Sequence, residues 1–202
     1  MKFSYLFAKL IKKIHLPAIK NSYINKTAKV CSGSHVIESV IDSYSYVGNF
    51  SSVNNTYIGK FCSIADKCAI GGASHPLNWV SSSPVFHQGK NIMKKNFSHH
   101  DFNPYQKTTI GNDVWIGSNS LIKSGITIEN GAVIGMGSIV TKNVGAYEIW
   151  AGNPAKLIRK RFSEGEINML QNSKWWEWDE HTLAEKSKYF NDIEKFLERL
   201  GE

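Results

Sequence analysis

Residues 110–145 run IGNDVWIGSNSLIKSGITIENGAVIGMGSIVTKNVG, and an aliphatic side chain falls at every sixth position: Ile110, Ile116, Ile122, Ile128, Ile134 and Val140. A helical stripe recurs about every 3.6 residues and a half-buried strand every 2, so a period of six requires one short strand plus one corner per unit. Glycine follows the aliphatic residue at Gly111, Gly117 and Gly135, where a corner needs little side chain. Four residues after each aliphatic come Val114, Ser120, Ile126, Ala132, Ser138 and Val144, which are mostly small. Three such units close a triangular coil with the aliphatic column turned inward, stacked on the coil before it.

The same period extends upstream. Val30 and Val36 are followed after a five-residue step by Ile41, Val47 and Val53, and after another by Ile58, Ile64 and Ile70. The repeat is therefore expected from about residue 24 to about residue 75, with an excursion over 76–109 and a restart at Ile110, which is in phase with Ile70 once the excursion is removed. The excursion holds Pro76, Pro84 and Pro104, is rich in Ser, Asn and His, and has no period. A loop of this length inside a repeat array is ordinarily functional. Three segments result: a basic amphipathic helix over 1–23, a mainly β repeat domain over 24–162 with its inserted loop, and a helical tail over 163–202.

With 202 residues and 42% hydrophobic content the chain can bury a core without disulfides or metal. No apolar run is long enough to span a bilayer, and no secretory leader is expected. Cys31, Cys62 and Cys68 make no disulfide framework. Cys62 and Cys68 occupy the small corner position, as packed thiols in a reducing cytoplasm would. The net charge of +7 lies wholly in residues 1–29, which hold seven lysines and no acid, so the remainder sums to zero. There Phe3, Leu6, Phe7, Leu10, Ile11 and Ile14 have helical spacing, with Lys2, Lys9, Lys12 and Lys13 between them. This stripe suits either a cap over the open end of the coil or contact with an anionic membrane face. Without arginine in that segment, or a basic surplus elsewhere, nucleic acid is not an expected partner. In the tail, Ser163 and Glu166 have capping-box spacing before Ile167 and Leu170, a second helix is expected from about Asp179, and Ile193, Phe196, Leu197 and Leu200 stripe the last one. Trp175, Trp176 and Trp178 suit packing of this tail onto the coil, or stacking on a ligand ring.

The hexapeptide run, the loop opening Gly71-Gly72-Ala73-Ser74-His75-Pro76-Leu77-Asn78-Trp79-Val80, the phrase Ile110-Gly111-Asn112-Asp113-Val114-Trp115-Ile116-Gly117, and Gly152-Asn153-Pro154-Ala155-Lys156 together resemble the left-handed β-helix acyltransferases, in particular the xenobiotic and polysaccharide O-acetyltransferase branch. The likeness covers roughly 24–185. It implies a left-handed parallel β-helix, a handedness the period alone does not supply, since parallel crossovers are ordinarily right-handed. It also implies a homotrimer with acetyl-coenzyme A in a groove between subunits.

Coils stack about 4.8 Å apart, so residues eighteen apart form a trough along the axis. Gly117, Gly135 and then Asn153 are expected in one such column, where glycine would let a pantetheine arm approach the backbone; corner glycines have the same pattern. Thr141, Lys142, Lys156, Arg159, Lys160 and Arg161 gather charge suited to coenzyme A phosphates beyond it. Trp115 either walls the thioester site, as the resemblance suggests, or packs between subunits. Direct acetyl transfer from a thioester needs a base for the attacking group, and an imidazole is matched to that task near neutrality. His75, His87, His99 and His100 are candidates, and only His75 stands at the junction of coil and loop, the position the resemblance makes catalytic. No metal is expected: three-histidine sites of the carbonic anhydrase kind need ligands at fixed spacing on the coil, and 110–145 has no histidine.

The expected activity is acetyl-CoA-dependent O-acetyl transfer to a saccharide hydroxyl. The polar loop points that way, with Asn78 and Trp79 as acceptor-binding residues beside Ser81, Ser82, Ser83, Asn91 and Asn96. The alternatives are O-acetylation of an antibiotic and, from another class, a noncatalytic trimeric scaffold, which would not need His75, the glycine trough and the basic cluster together.

Overall fold

The computed structural model describes residues 3–201; Lys2, and the side chains of Lys12 and Lys13, lie outside what it describes. The body is a left-handed parallel β-helix with three flat faces. The first face stacks strands 18–20, 35–37, 52–54, 69–71, 121–122 and 139–140. The second stacks 23–24, 40–41, 56–58, 108–110 and 127–128, and the third 29–30, 46–47, 63–64, 115–116, 133–134, 148–152 and 155–160. All pairings between coils are parallel, and the last hairpin, Glu148–Gly152 with Ala155–Lys160, is antiparallel.

Register follows the sixfold columns. Ile58 pairs with Ile110, Ile64 with Ile116 and Ile70 with Ile122, so the excursion is spliced out of the coil without loss of phase. These aliphatics are fully buried. The coil begins earlier than its period becomes readable: Ile19 pairs with Val36 and Ile24 with Ile41, seventeen residues apart, because the corners at Asn21 and Glu38 are each one residue short and are turned by a positive φ. The corner column is a ladder of small polar groups. The Ser34 hydroxyl donates to Gly48 O (2.6 Å) and accepts from Ser51 N (3.1 Å), and Ser45 bridges Gly59 O and Cys62 N in the same way. Cys62 and Cys68 take this position as packed thiols, donating to Gly111 O and Gly117 O.

One column departs from its expected course. The corner after Val140 is two residues short, so Val144 stacks on Ile128 as a column residue and Trp150 stacks on Ile134. Ala151, and not Asn153, therefore continues the line of Gly117 and Gly135.

The tail has a capping box at Ser163 and Glu166 on helix Glu164–Ser173, then Glu180–Lys186 capped by Asp179 and Ile193–Glu198 capped by Asp192. Trp175 and Trp176 are buried among Tyr147, Ile167, Leu170 and Phe196, with Phe61 of the coil against them, so the tryptophan cluster is a packing device. The N-terminal helix Phe3–Ile14 does not cap the coil with its apolar stripe. Tyr5, Ala8 and Lys9 line the groove against Lys29, Val30 and Cys31, and the apolar stripe is exposed. In the first coil Ile24, Ala28 and Val30 pack half-buried on the core, and Ile19 is exposed.

Candidate active site

The excursion leaves the coil after strand 69–71 on the first face and returns at 108–110 on the second, so it springs from the corner between them. Its two ends are tied together: Ser74 N and Oγ both donate to Pro104 O (2.7 and 3.0 Å), and Asn55 Nδ2 donates to Tyr105 O (3.2 Å). His75 stands between that clamp and the buried Pro76, with its own ring exposed. Its Nδ1 lies 2.8 Å from Ser82 O. A carbonyl oxygen can only accept, so in this contact Nδ1 carries the proton and Nε2 presents a lone pair. Sequence alone left the orienting partner of His75 unassigned; it is this backbone carbonyl.

His75 borders a cavity of about 850 Å³ lined by loop residues including His87, Gln88, Asn91, Phe102 and Asn103. Asn78 and Trp79 line a different hollow of about 570 Å³, with Val80, Phe86 and His100. Trp79 is set edge-on to His100 and Phe102, so it also packs the loop. The polar loop residues are largely spent inside the loop. Asn91 Nδ2 donates to Lys95 O, Asn96 Nδ2 to His87 O, and Ser81 Oγ accepts from Ser83 N. What the loop turns outward includes Leu77, Val80, Ile92, Met93 and Phe97. These amide side chains thus stabilise loop backbone that has no sheet to pair with, while Gln88, Lys90 and Asn103 keep the lining beside His75 polar. His87 is buried against Phe102 with its Nδ1 on Gln88 O, a packing role, and His99 and His100 are exposed.

The residues expected at the donor site fall in two places. Trp115 is on the third face, 55% exposed. Gly117 and Gly135 occupy the corner between third and first faces, and Thr141 and Lys142 are exposed at the corner between first and second, the one His75 shares. Lys156 and Arg159 are exposed on the terminal hairpin, with Asn153 in its turn. Lys160 is paired with Glu164, and Arg161 is committed elsewhere, to Asp113 at 3.2 Å and Gly131 O at 2.7 Å. The glycine amides are also committed: Gly117 N donates to Ile134 O and Gly135 N to Trp150 O, both at 2.8 Å. A methyl group on Gly117 would stand 2.5 Å from Met136 N, and one on Gly135 2.9 Å from Ala151 Cβ. Their first requirement is therefore close stacking of the corners. Among the described residues, no group of three His, Cys, Asp or Glu is arranged to hold a metal ion.

Residues 107–142 match the family described as hexapeptide repeat of succinyl-transferase. The chain is 38% identical over 178 residues to a chloramphenicol acetyltransferase of Agrobacterium fabrum, covering 87% of this chain and 81% of that one. It is 45% identical over 137 residues to one of Escherichia coli, covering 66% of this chain and 64% of the relative, just under two thirds of its length. A galactoside O-acetyltransferase of Escherichia coli is 30% identical over 154 residues, 75% of this chain and 66% of that one. Among solved structures, the N-acyltransferase AntD from Bacillus cereus, in complex with dTDP-4-amino-4,6-dideoxyglucose and coenzyme A, shares the fold at 20% identity and a TM-score of 0.53, covering 82% of this chain and 93% of that chain.

Proposed function

Since the chain belongs to the hexapeptide-repeat acetyltransferases, we propose that it is an acetyl-CoA-dependent O-acetyltransferase with His75 as general base. The observation that carries this is the 2.8 Å contact of His75 Nδ1 with Ser82 O at the clamped root of the loop, which leaves Nε2 free beside a cavity. Nε2 takes the proton of the acceptor hydroxyl as its oxygen attacks, and the Ser82 carbonyl steadies the resulting imidazolium through Nδ1–H. The donor supplies a thioester whose thiolate leaves readily, so no serine or cysteine nucleophile is required. Exposed Lys142 and Lys156 are placed to meet phosphates, beside Arg159, which also donates to Lys160 O, and with Lys160 at their margin. Trp115, Gly117, Gly135 and Asn153 on the third face and its corner, and Thr141 at the corner beside His75, would line the donor path from two neighbouring subunits.

The working unit we infer is a homotrimer with sites between subunits. His75 and the Gly117 corner lie at opposite edges of the first face, so one chain does not bring base and trough together, whereas neighbours around a threefold axis would. Three free cysteines suit a reducing compartment such as the cytoplasm.

For the acceptor, the names of the relatives favour a small alcohol of the antibiotic class over the saccharide anticipated from the loop's composition. A saccharide is the second reading, supported by the galactoside-acetylating relative and by the polar lining of the His75 cavity, Lys90 and Asn103 among it. Thiol release from acetyl-CoA, measured with hydroxylated antibiotics, oligosaccharides and nucleotide sugars, separates the two. Turnover is expected with one acceptor class, and His75→Ala should lower kcat by about 10²–10⁴-fold. Full activity in the His75 variant would overturn the assignment of the base. Absence of both turnover and acetyl-CoA binding would leave a noncatalytic trimeric scaffold.

A further inference from the structure

We propose that the N-terminal helix docks the protein on an anionic lipid bilayer. Phe3, Leu6, Phe7, Leu10, Ile11 and Ile14 form one continuous stripe on helix Phe3–Ile14, and each is 44–83% exposed. The orientation is the reverse of a surface helix that buries its apolar side. The face bearing Tyr5, Ala8 and Lys9 lies toward the first coil, across a groove shared with His15, Lys29, Val30 and Asn49, and the apolar face looks away from the protein. The exposed apolar surface continues through Leu16 and Ile19 at the start of the coil.

Charge selects the occupant. Seven lysines and no acid precede Glu38, and Lys20, Lys26 and Lys29 are exposed on the first coil. A second copy of the same segment would bring like charges together, whereas anionic headgroups neutralise them while the stripe enters the acyl boundary. No helix among the described residues is long and apolar enough to cross a membrane, so the contact is peripheral. The helix joins the coil through Gly33 N donating to His15 O at 2.7 Å, which places the bilayer at the first-coil end, away from the terminal hairpin.

The test is flotation of the full chain with phosphatidylglycerol–phosphatidylcholine vesicles, beside vesicles of phosphatidylcholine alone. Binding is expected to the anionic vesicles only and to weaken as salt is added. Leu10→Asp should lower the bound fraction about tenfold or more, because it loses the burial of a leucine and adds a repelled charge. Its mass by light scattering and its turnover of a soluble acceptor should stay at wild-type values, so loss of docking is distinguishable from failure of the enzymatic reading. Absence of wild-type protein from the floated fraction would overturn the proposal. So would a Leu10→Asp variant that floats normally but changes oligomeric mass, which would assign the stripe to a second copy of the chain.

Discussion

As the proposed base, His75 would depend on neighbours that do no chemistry. Ser74 is pinned to Pro104, Pro76 is buried, and Ser82 returns a carbonyl to the ring, so the residue is anchored in a loop whose regular structure is limited to the short helix Pro84–Phe86 and a bridge between His87 and His100. The junction position and the residue type were legible in the chain; the carbonyl was not, because any of the loop's backbone oxygens could have served. The cysteines show the opposite balance. Their corner position alone marked Cys62 and Cys68 as packed groups, and burial pushes the Cys62 thiol up to about 12 and raises Cys68 as well. The Cys62 thiol therefore stays protonated where an ordinary cysteine ionises, Cys68 is shifted the same way, and the thiolate is the reactive form. In mildly alkaline buffer, iodoacetamide should modify only Cys31 in the native protein and all three after denaturation, as read by intact mass. Rapid native labelling of Cys62 would mean that the coil opens far more readily than its packing implies.

At the scale of the element, each strand is two or three residues long over most of the coil and has no stability of its own. What holds it is the column. Ile134 lies fully buried, with Ile116 on one side and Trp150 on the other. Ile134→Ala should destabilise by about 2–5 kcal/mol, since rigid coils on both sides prevent collapse into the cavity. A thermal melt should show this as a lowered midpoint with the fold retained. A shift near zero would indicate that neighbouring coils relax together. The N-terminal helix obeys a different rule. Its amphipathic pattern was clear in the sequence, but periodicity carries no information about which partner the apolar side meets, and the structure turns it outward.

For the whole molecule, the arrangement of corners matters more than any single residue. His75 and the Gly117 corner stand on opposite edges of one face, and Trp115 and Lys156 on the third face. If the site is shared between subunits, two defective chains should complement each other. Co-assembled His75→Ala subunits and subunits carrying both Trp115→Ala and Lys156→Glu should turn over faster than either parent alone, in particles of three times 22.7 kDa. No recovery in a verified mixed trimer would place base and donor site within one chain. Around such an axis the three N-terminal helices would emerge from the same end, so bilayer contact would gain from simultaneous engagement.

By itself the sequence determined the coil, its inserted loop, the capped tail helices and the histidine at the junction. These depend on local period, corner chemistry and side-chain type, which are written residue by residue. Only the tertiary structure decided that Ala151 continues the glycine line, that Arg161 is held by Asp113, that the loop's amides are spent on its own backbone, and that the helix shows its apolar face outward. A corner shortened by two residues shifts everything after it, and hydrogen-bond donors go to whichever acceptor the fold brings near. Both are outcomes of three-dimensional placement that no spacing along the chain encodes.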